Sequence, residues 1–340
     1  MTEIESNIDS EWDSFLENID NPIQKKEHIV DNVDLKQNYG LPKGSELYIS
    51  TKTKIAYLSH PIDLFYVFWK LNILSYHIPV EGIVKKQMKF NFADQESLLE
   101  IQKKLEGVNN VDEYIITQIL NPEGRVKFKD IRKISIGLSN RDIISYRSKK
   151  KSAFYNCFVI IVRIYSEDKF KEIHVKVFNT GKLEIPGIRS EKILIKVLDL
   201  VVKILKPIIN IPDFNYDYSK CETVLINSNF TCGFYINREK LFDILKYKYH
   251  INCGFDACSY PGIQCKYNYM DRYKISFMIF RTGSVLIVGK CTDDVLIIIY
   301  NYIKNILITE YNNICVKNND DNNDHTLIKK QTKKKFIISY

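Results

Sequence analysis

Short runs of alternating apolar and polar residues, each closed by a turn signal, recur along this chain, with longer apolar runs at 3.6-residue spacing between them. ELYISTKTKIAYL, from Glu46, alternates as a strand does, and HPIDLFYVFWKLNIL, with Pro61 just before its apolar run, reads as a helix. EGIVKKQMKFNF is a second strand. Residues 93–128 read as an inserted helical excursion closed by the turn NPEG, KDIRKISIGLSN as a strand and YRSKKKS as a basic loop. FYNCFVIIVRIY, FKEIHVKVF and KLEIPG follow as three short strands. SEKILIKVLDLVVKIL is then a helix with Ser190 placed to cap its first turn.

The same order returns after Pro207 and Pro212. CETVLINSNFTCGFYI is strand-like, REKLFDILKYKY is helical, and YPGIQCKYNY, YKISFMIF and SVLIVG are strands. TDDVLIIIYNYIKNIL closes the series as a helix, with Thr292 as N-cap and acids in the first turn, where the helix dipole favours them. The expected organisation is a polar arm over 1–44, a first unit over 45–207 with an insertion near 93–150, a second unit over 218–312 and a low-complexity tail over 317–340. The arm lacks sustained periodicity and reads as mostly disordered, with EWDSFLENI as a candidate short helix or binding motif.

The recurrence extends to residue identity. A constant offset of 102 pairs Phe178 with Phe280, Thr180 with Thr282, Gly181 with Gly283, Ile185 with Ile287, Gly187 with Gly289, Leu194 with Leu296, Ile204 with Ile306 and Leu205 with Leu307. Such self-similarity implies one supersecondary unit used twice, each copy unable to bury its sheet face alone. The glycine after each threonine suits a tight turn that needs positive φ.

The motifs KVFNTGKLEIPG and FMIFRTGSVLIVG, an apolar strand ending in Phe, x-Thr-Gly and a second strand closing in Gly, occur in tandem, with YPGIQCKY about twenty residues before the second Phe. In these features the chain resembles the TATA-box-binding-protein (TBP) family over roughly residues 46–310, and most the divergent TBP-like proteins of large DNA viruses. The resemblance implies an α+β fold: a saddle of two pseudo-symmetric repeats whose ten-stranded curved antiparallel sheet faces DNA while helices cover its convex back.

It also implies paired aromatic wedges that enter the minor groove at each end of the site and kink the duplex, unstacking steps to gain wrapped interface. Carried over residue by residue, the wedges are Phe178 and Phe280 in the hairpins, with Tyr260 in SYPG and Phe158 in NCFVII as their companions; Phe154 is the alternative to Phe158. Plain sheet core is the competing reading for each ring. Strand alternation adds Met278, Thr282, Leu286 and Val288 to the wedge face of the second half, an apolar surface fit for A·T pairs. The first-half equivalents are Lys176, Thr180, Glu184 and Pro186. A carboxylate there implies weaker binding, a different sequence, or acceptance of a hydrogen bond from a guanine amino group. For the family's central asparagine pair, Asn227 and Asn229 stand near the right strand of the second half, and Thr51 or Thr53 is the polar replacement in the first.

Phosphate contacts are expected from Lys149, Lys150, Lys151, Arg163, Lys182, Lys266, Arg281 and Lys290, against the alternative that each is merely solvated. A TFIIB-like factor would dock near Asp256 and Ser259, and DNA-directed RNA polymerase would follow. The partner implied is double-stranded AT-rich promoter DNA, bound by a monomer with no cofactor.

Composition fits this picture. At 340 residues, 45% hydrophobic and 12% aromatic, the chain has ample material for a core. Residues 1–40 carry a net charge of −7, so the remaining chain carries +15 under an overall +8. A basic body suits a polyanion partner, and the acidic arm would shield the site or recruit basic proteins. AT-rich coding accounts for part of the lysine count. No run of about 18 apolar residues occurs and the N-terminus is acidic, so neither a membrane span nor secretion is expected.

Eight scattered cysteines without CxxC pairs favour reduced thiols; Cys253, Cys258 and Cys265 cluster, but with only His250 as a fourth ligand they read as core thiols rather than zinc. The expected location is the site of transcription, a viral factory in the host cytoplasm or the virion for a viral protein and the nucleus otherwise. No nucleotide-binding, metalloprotease or nucleophile-elbow motif occurs and the six histidines sit apart, so an enzyme is not expected. The rival reading is a TBP-fold scaffold for protein contacts that has lost DNA bending.

Overall fold

The structure, a computed structural model, describes residues 42–144 and 155–316. The acidic arm, Lys149, Lys150, Lys151 and the tail from 317 lie outside the described residues. The strands are β1 (Tyr48–Tyr57), β2 (Gly82–Phe92), β3 (Val111–Leu120), β4 (Phe128–Gly137), β5 (Cys157–Ser166), β6 (Lys169–Phe178), β7 (Lys182–Ile188), β8 (Glu222–Thr231), β9 (Asn252–Gly254), β10 (Gly262–Tyr269), β11 (Tyr273–Phe280) and β12 (Ser284–Gly289). The helices are α1 (Leu64–Lys70), α2 (Gln95–Leu105), α3 (Asn140–Ile144), α4 (Glu191–Ile209), α5 (Arg238–Asp243, continued by a π-turn over Ile244–Lys248), α6 (Asp293–Thr309) and α7 (Tyr311–Ile314).

Among the described residues the strands form one antiparallel sheet in the order β3-β4-β2-β5-β6-β7-β1-β8-β12-β11-β10-β9. The order is symmetric about the β1/β8 junction once β3 and β4 are set aside, leaving five strands to each repeat. The symmetry reaches single hydrogen bonds. Leu58 N–H donates to Gly181 O (2.8 Å) as Cys232 N–H donates to Gly283 O (2.9 Å), and Ile62 N–H donates to Asn179 O as Ile236 N–H donates to Arg281 O. Asp63 caps α1 by accepting from Tyr66 N–H, and Asn237 caps α5 by accepting from Lys240 N–H. The equivalences therefore run at an offset of 174 before the insertion and 102 after it. The turn glycines are required by close approach as well as by φ: a Cβ on Gly181 (φ +82°) would meet His60 O at 2.6 Å, and one on Gly283 (φ +78°) would meet Phe234 O at 2.2 Å.

Each repeat has its own core on the helix-bearing side. In the first, Phe158, Ile160, Val162 and Ile164 of β5 alternate toward α1 and α4, whose Ile193, Leu194, Val197, Leu198, Val201 and Leu205 recur at helical spacing. In the second, Phe277 and Ile279 of β11 and Val285 and Ile287 of β12 meet Leu296, Ile299, Ile303 and Leu307 of α6. Fully burying one such side chain contributes about 1.5–3 kcal/mol. The caps expected at Ser190 and Thr292 are present: each side chain accepts from the backbone N–H three residues on, at 3.4 Å.

The insertion differs from its sequence reading. Within 93–128, the stretch read as helical, only Gln95–Leu105 is a helix; Val111–Leu120 and Phe128–Gly137 form a hairpin that adds β3 and β4 outside β2, making twelve strands among the described residues where the resemblance implied ten. A register shift between Ile115 and Thr117 interrupts the period-2 pattern, which is why VDEYIITQIL did not read as a strand. The buried side of this hairpin carries Arg132 Nε bound to Asp130 Oδ1 at 2.7 Å, with Glu113 at 3.1 Å. The two repeats also close the end of their first helix differently. Buried Lys86 Nζ donates to Phe68 O and Leu71 O at the end of α1 (2.7 and 2.8 Å), whereas Cys253 Sγ donates to Phe242 O at the equivalent position of α5 (3.9 Å).

Candidate nucleic-acid interface

Side chains that alternate away from the two cores form the opposite side of the sheet, the open face. In the second repeat the register places Asn229, Leu286, Met278 and Gln264 in one cross-strand row, and Asn227, Val288, Ser276 and Lys266 in the next. Met278 and Leu286 are cross-strand partners with Val288 two residues on, and the three are 7, 5 and 3% exposed. Lys266 on this face is exposed. In the next row outward Phe280 stands opposite Gly262, and the ring of Tyr260 lies 6.1 Å from that of Phe280. Gly262 makes the pairing possible, because a Cβ there would meet both rings at 3.0–3.1 Å. The Tyr260 hydroxyl is buried without a hydrogen-bond partner among the described residues, and burial pushes its pKa up.

In the first repeat Phe178 stands opposite Cys157 as Phe280 stands opposite Gly262. The register equivalent of Tyr260 is therefore Tyr155, two residues before Cys157 as Tyr260 is two before Gly262. Phe158 is corrected: its ring is fully buried in the first core, 6.3 Å from Phe68 and on the side opposite Phe178. The reason is a hairpin length. From Cys157 to Phe178 is 21 residues, whereas from Gly262 to Phe280 is 18. An offset carried unchanged across that odd difference turns every side chain to the wrong face. The signal that could have found Tyr155 is local: Tyr-Asn-Cys and Tyr-Pro-Gly place a tyrosine at the same distance before the residue opposite the wedge.

The other predicted residues divide three ways. Glu184 does face the open side, but it is 3% exposed and bonded to Lys176 at 2.6 Å, directly across β7/β6. Its charge is neutralised within the protein, so the repulsion expected of a bare carboxylate does not arise. Pro186 lies on the same strand at the equivalent of Val288. Asn227 donates to Thr51 Oγ1 at 3.3 Å across the junction, so the polar centre is an Asn–Thr couple, with Asn229 beside Tyr48. Thr180 and Thr282 sit exposed in the turns after the wedges rather than within the sheet face.

Among the expected phosphate contacts, Arg163 is corrected. It is buried and donates to Ile78 O (2.8 Å) and Tyr76 O (3.0 Å), pinning the loop between α1 and β2. Lys182 lies with its ammonium 5.3 Å from the Phe178 ring centroid, Arg281 is exposed beside Phe280, and Lys290 is exposed with Glu222 at 3.2 Å. Asp256 and Ser259 form a self-bonded turn: Asp256 accepts from Cys258 N–H (3.0 Å), and its carbonyl accepts from Ser259 Oγ (3.3 Å) and Tyr260 N–H (2.9 Å). Hydrogen bonds from Ser259 and Cys258 hold the Asp256 carboxyl below its usual range. Cys253 and Cys265 are cross-strand neighbours and Cys258 is exposed; among the described residues no group of three or more His, Cys, Asp or Glu is arranged to hold a metal. No helix among them is long and apolar enough to cross a membrane.

The two open faces are not equally open. In the first repeat Lys85 is bonded to Asp142 (2.9 Å) and Glu172 accepts from Asn140 N–H (2.8 Å), so α3, returning from the insertion, is tied to that side.

An aromatic couple, Phe280 with Tyr260, and Phe178 with Tyr155 at the equivalent register positions thus lie on one side of a tandem-repeat antiparallel sheet. No family model matches the chain. A "TATA-box-binding protein-like" protein of Acanthamoeba polyphaga mimivirus is 31% identical over 205 residues, 52% of this chain and 54% of the relative. The chain thus spans about half the length of the curated relative it matches. Among solved structures, Methanococcus jannaschii TBP is similar at 15% identity and a TM-score of 0.40, over 78% of this chain and 99% of that one. The likeness read from the two hairpins holds at the level of sequence: the chain is similar to TATA-box-binding proteins, and in particular to one of a large DNA virus.

Proposed function

We propose that the chain is a transcription-initiation factor that binds duplex promoter DNA with its open face and bends it through the minor groove. The observation that carries this reading is the aromatic couple of Phe280 with Tyr260, together with Phe178 and Tyr155 at the equivalent outer register positions of the first repeat. Inserting apolar wedges at two separated steps costs a few kcal/mol per step, offset by the larger surface a bent duplex offers. The apolar row Met278, Leu286 and Val288 favours A·T pairs, because only guanine presents an amino group in the minor groove. Lys266, Arg281 and Lys182 supply phosphate contacts that carry affinity without sequence information. The exposed turn at Asp256 and Ser259, adjoining Tyr260, is the surface on which a TFIIB-like factor would dock, with RNA polymerase following. The reaction class is non-enzymatic.

One observation favours the scaffold alternative for the first repeat alone: Arg163, Lys85 and Lys176 are committed to internal partners. The test is fluorescence-detected bending of AT-rich and GC-rich duplexes across a salt series, with Phe280→Ala as control. Bending of the AT-rich duplex by wild type and its loss in the variant are expected. No bending at low salt, or a variant that matches wild type, leaves only the scaffold.

A further inference from the structure

The floor of the open face is composed inversely in the two repeats. In the second, one cross-strand row runs Asn229, Leu286, Met278 and Gln264, apolar between polar ends. The equivalent row of the first runs Ile55, Glu184, Lys176 and Val159, an ion pair between apolar ends. Lys176 Nζ donates to Glu184 Oε1 at 2.6 Å, and Glu184 is 3% exposed against 5% for Leu286, so the carboxylate lies as deep in the floor as the leucine at the matching place. The fold does not need charge there, since Met278 and Leu286 fill the same two positions in the second repeat. Replacing a buried ion pair by apolar residues of similar volume is often neutral. What the pair changes is the chemistry shown to a ligand.

We infer that the first repeat reads a G·C pair where the second reads A·T, and that Glu184 determines the difference by accepting a hydrogen bond from the guanine amino group. Three facts carry it. The amino group of guanine is the one hydrogen-bond donor that bases present in the minor groove. Among the described residues the Glu184 carboxylate accepts one hydrogen bond, at Oε1, of the roughly four its two oxygens can take. Lys176 balances the charge, so the carboxylate meets the groove floor as half of an ion pair rather than as a bare anion among phosphates.

The site implied is asymmetric, with A·T pairs under Leu286 and a G·C pair under Glu184. A guanine amino group set against Leu286 would lose its hydrogen bond to water and gain none, and an A·T pair set against Glu184 would desolvate an oxygen without giving it a donor. The consequence is direction. A nearly two-fold protein on a uniform A·T site has no strong reason to choose one orientation, whereas half-sites of different composition fix which repeat lies on which.

This inference rests on the reading that the open face binds and bends DNA, and its test separates the two. Affinity and bending of the full chain are measured on duplexes with A·T pairs in both half-sites, with one G·C pair in one half-site, with a G·C pair in each, and with the single guanine replaced by inosine, which removes the amino group alone. Wild type should bind the single-G·C duplex about tenfold tighter than each of the others. Glu184→Leu/Lys176→Met, which copies the second repeat, should reverse that order and bind the all-A·T duplex tightest. Wild type that bends DNA but binds the inosine duplex as tightly as the guanine one, or the all-A·T duplex at least as tightly, overturns the inference and leaves the proposed function standing. A folded double variant that keeps the wild-type order overturns it as well, and the inosine comparison decides the matter without any variant should that one fail to fold. Wild type that bends none of the duplexes overturns both readings.

Discussion

The two repeats share a fold to the level of single backbone hydrogen bonds, yet they differ in what they leave available to a partner. The second repeat presents Met278, Leu286 and Val288 as an uninterrupted apolar floor beside a bare aromatic couple. The first replaces Met278 with Lys176 and Leu286 with Glu184, joins the two as an ion pair, covers its aromatics with lysine and ties Lys85 and Glu172 to the returning insertion. A duplicated unit can thus keep its hydrogen-bonding frame while its open face is rewritten, because core and open face alternate along every strand and answer to different pressures. If both faces meet DNA, the second supplies tight steric readout and the first supplies charge.

The largest expected effects test which face is which. Phe158→Ala should cost about 3–5 kcal/mol in denaturant unfolding, since it empties a fully buried site, whereas Tyr155→Ala should change stability by less than about 0.5 kcal/mol and act on bending. A stability-neutral Phe158→Ala would undo the inward register of β5 at Phe158. Next comes the polar row. Glu184→Leu alone should destabilise by about 1–3 kcal/mol by taking the carboxylate away from half-buried Lys176, while Glu184→Leu/Lys176→Met, which copies the second repeat, should be neutral or stabilising. If the double change is as costly as the single, the ion pair is stabilising in its own right.

The third contrast is the closure of the first helix. Burial pushes the Lys86 ammonium down from 10.5 to about 8. Between those values the folded protein has released the proton and the unfolded chain still holds it, so unfolding takes up a proton and stability rises with pH. Below pH 8 both states are protonated and the burial cost is constant. Unfolding free energies from urea titrations between pH 7.5 and 10 should therefore rise for wild type relative to Lys86→Met, by an amount on the order of 2 kcal/mol. Parallel profiles would mean that Lys86 is solvated in solution. The smallest effect is expected at Lys290→Ala: its exposed pair with Glu222 contributes at most about 1 kcal/mol, and the readout is a DNA-affinity salt slope lower by about 1.

The parts of the molecule that were legible in sequence are those where one signal acts alone. The hairpins ending in Phe178-Asn179-Thr180-Gly181 and Phe280-Arg281-Thr282-Gly283 carry alternation, a turn glycine and a capped helix in agreement, and they fold as read. The open face of the second repeat was legible for the same reason. What failed was anything that depended on counting across a loop. Phe158 turned inward because the first hairpin is three residues longer than the second. Strand β3 was hidden by its bulge, and Arg163, flanked by apolar neighbours on an open-face position, gave no sign that two carbonyls of a distant loop would claim it. Tertiary partners of that kind leave no periodic trace.

Strand β1 has a consequence for the order in which the molecule can form. Its later residue Ala56 and the following Leu58 belong to the first core, while Ile49 and the preceding Leu47 pack against the second. One edge of β1 pairs with β7, more than a hundred residues further on, and the other with β8. During synthesis it emerges first among the strands and cannot be completed until Glu222–Thr231 has followed it. Contacts that distant make folding slow relative to local pairing, and they make the two halves one cooperative unit. A chain stopped between the repeats would carry an unpaired central strand edge, the part of a sheet most prone to pair with another molecule.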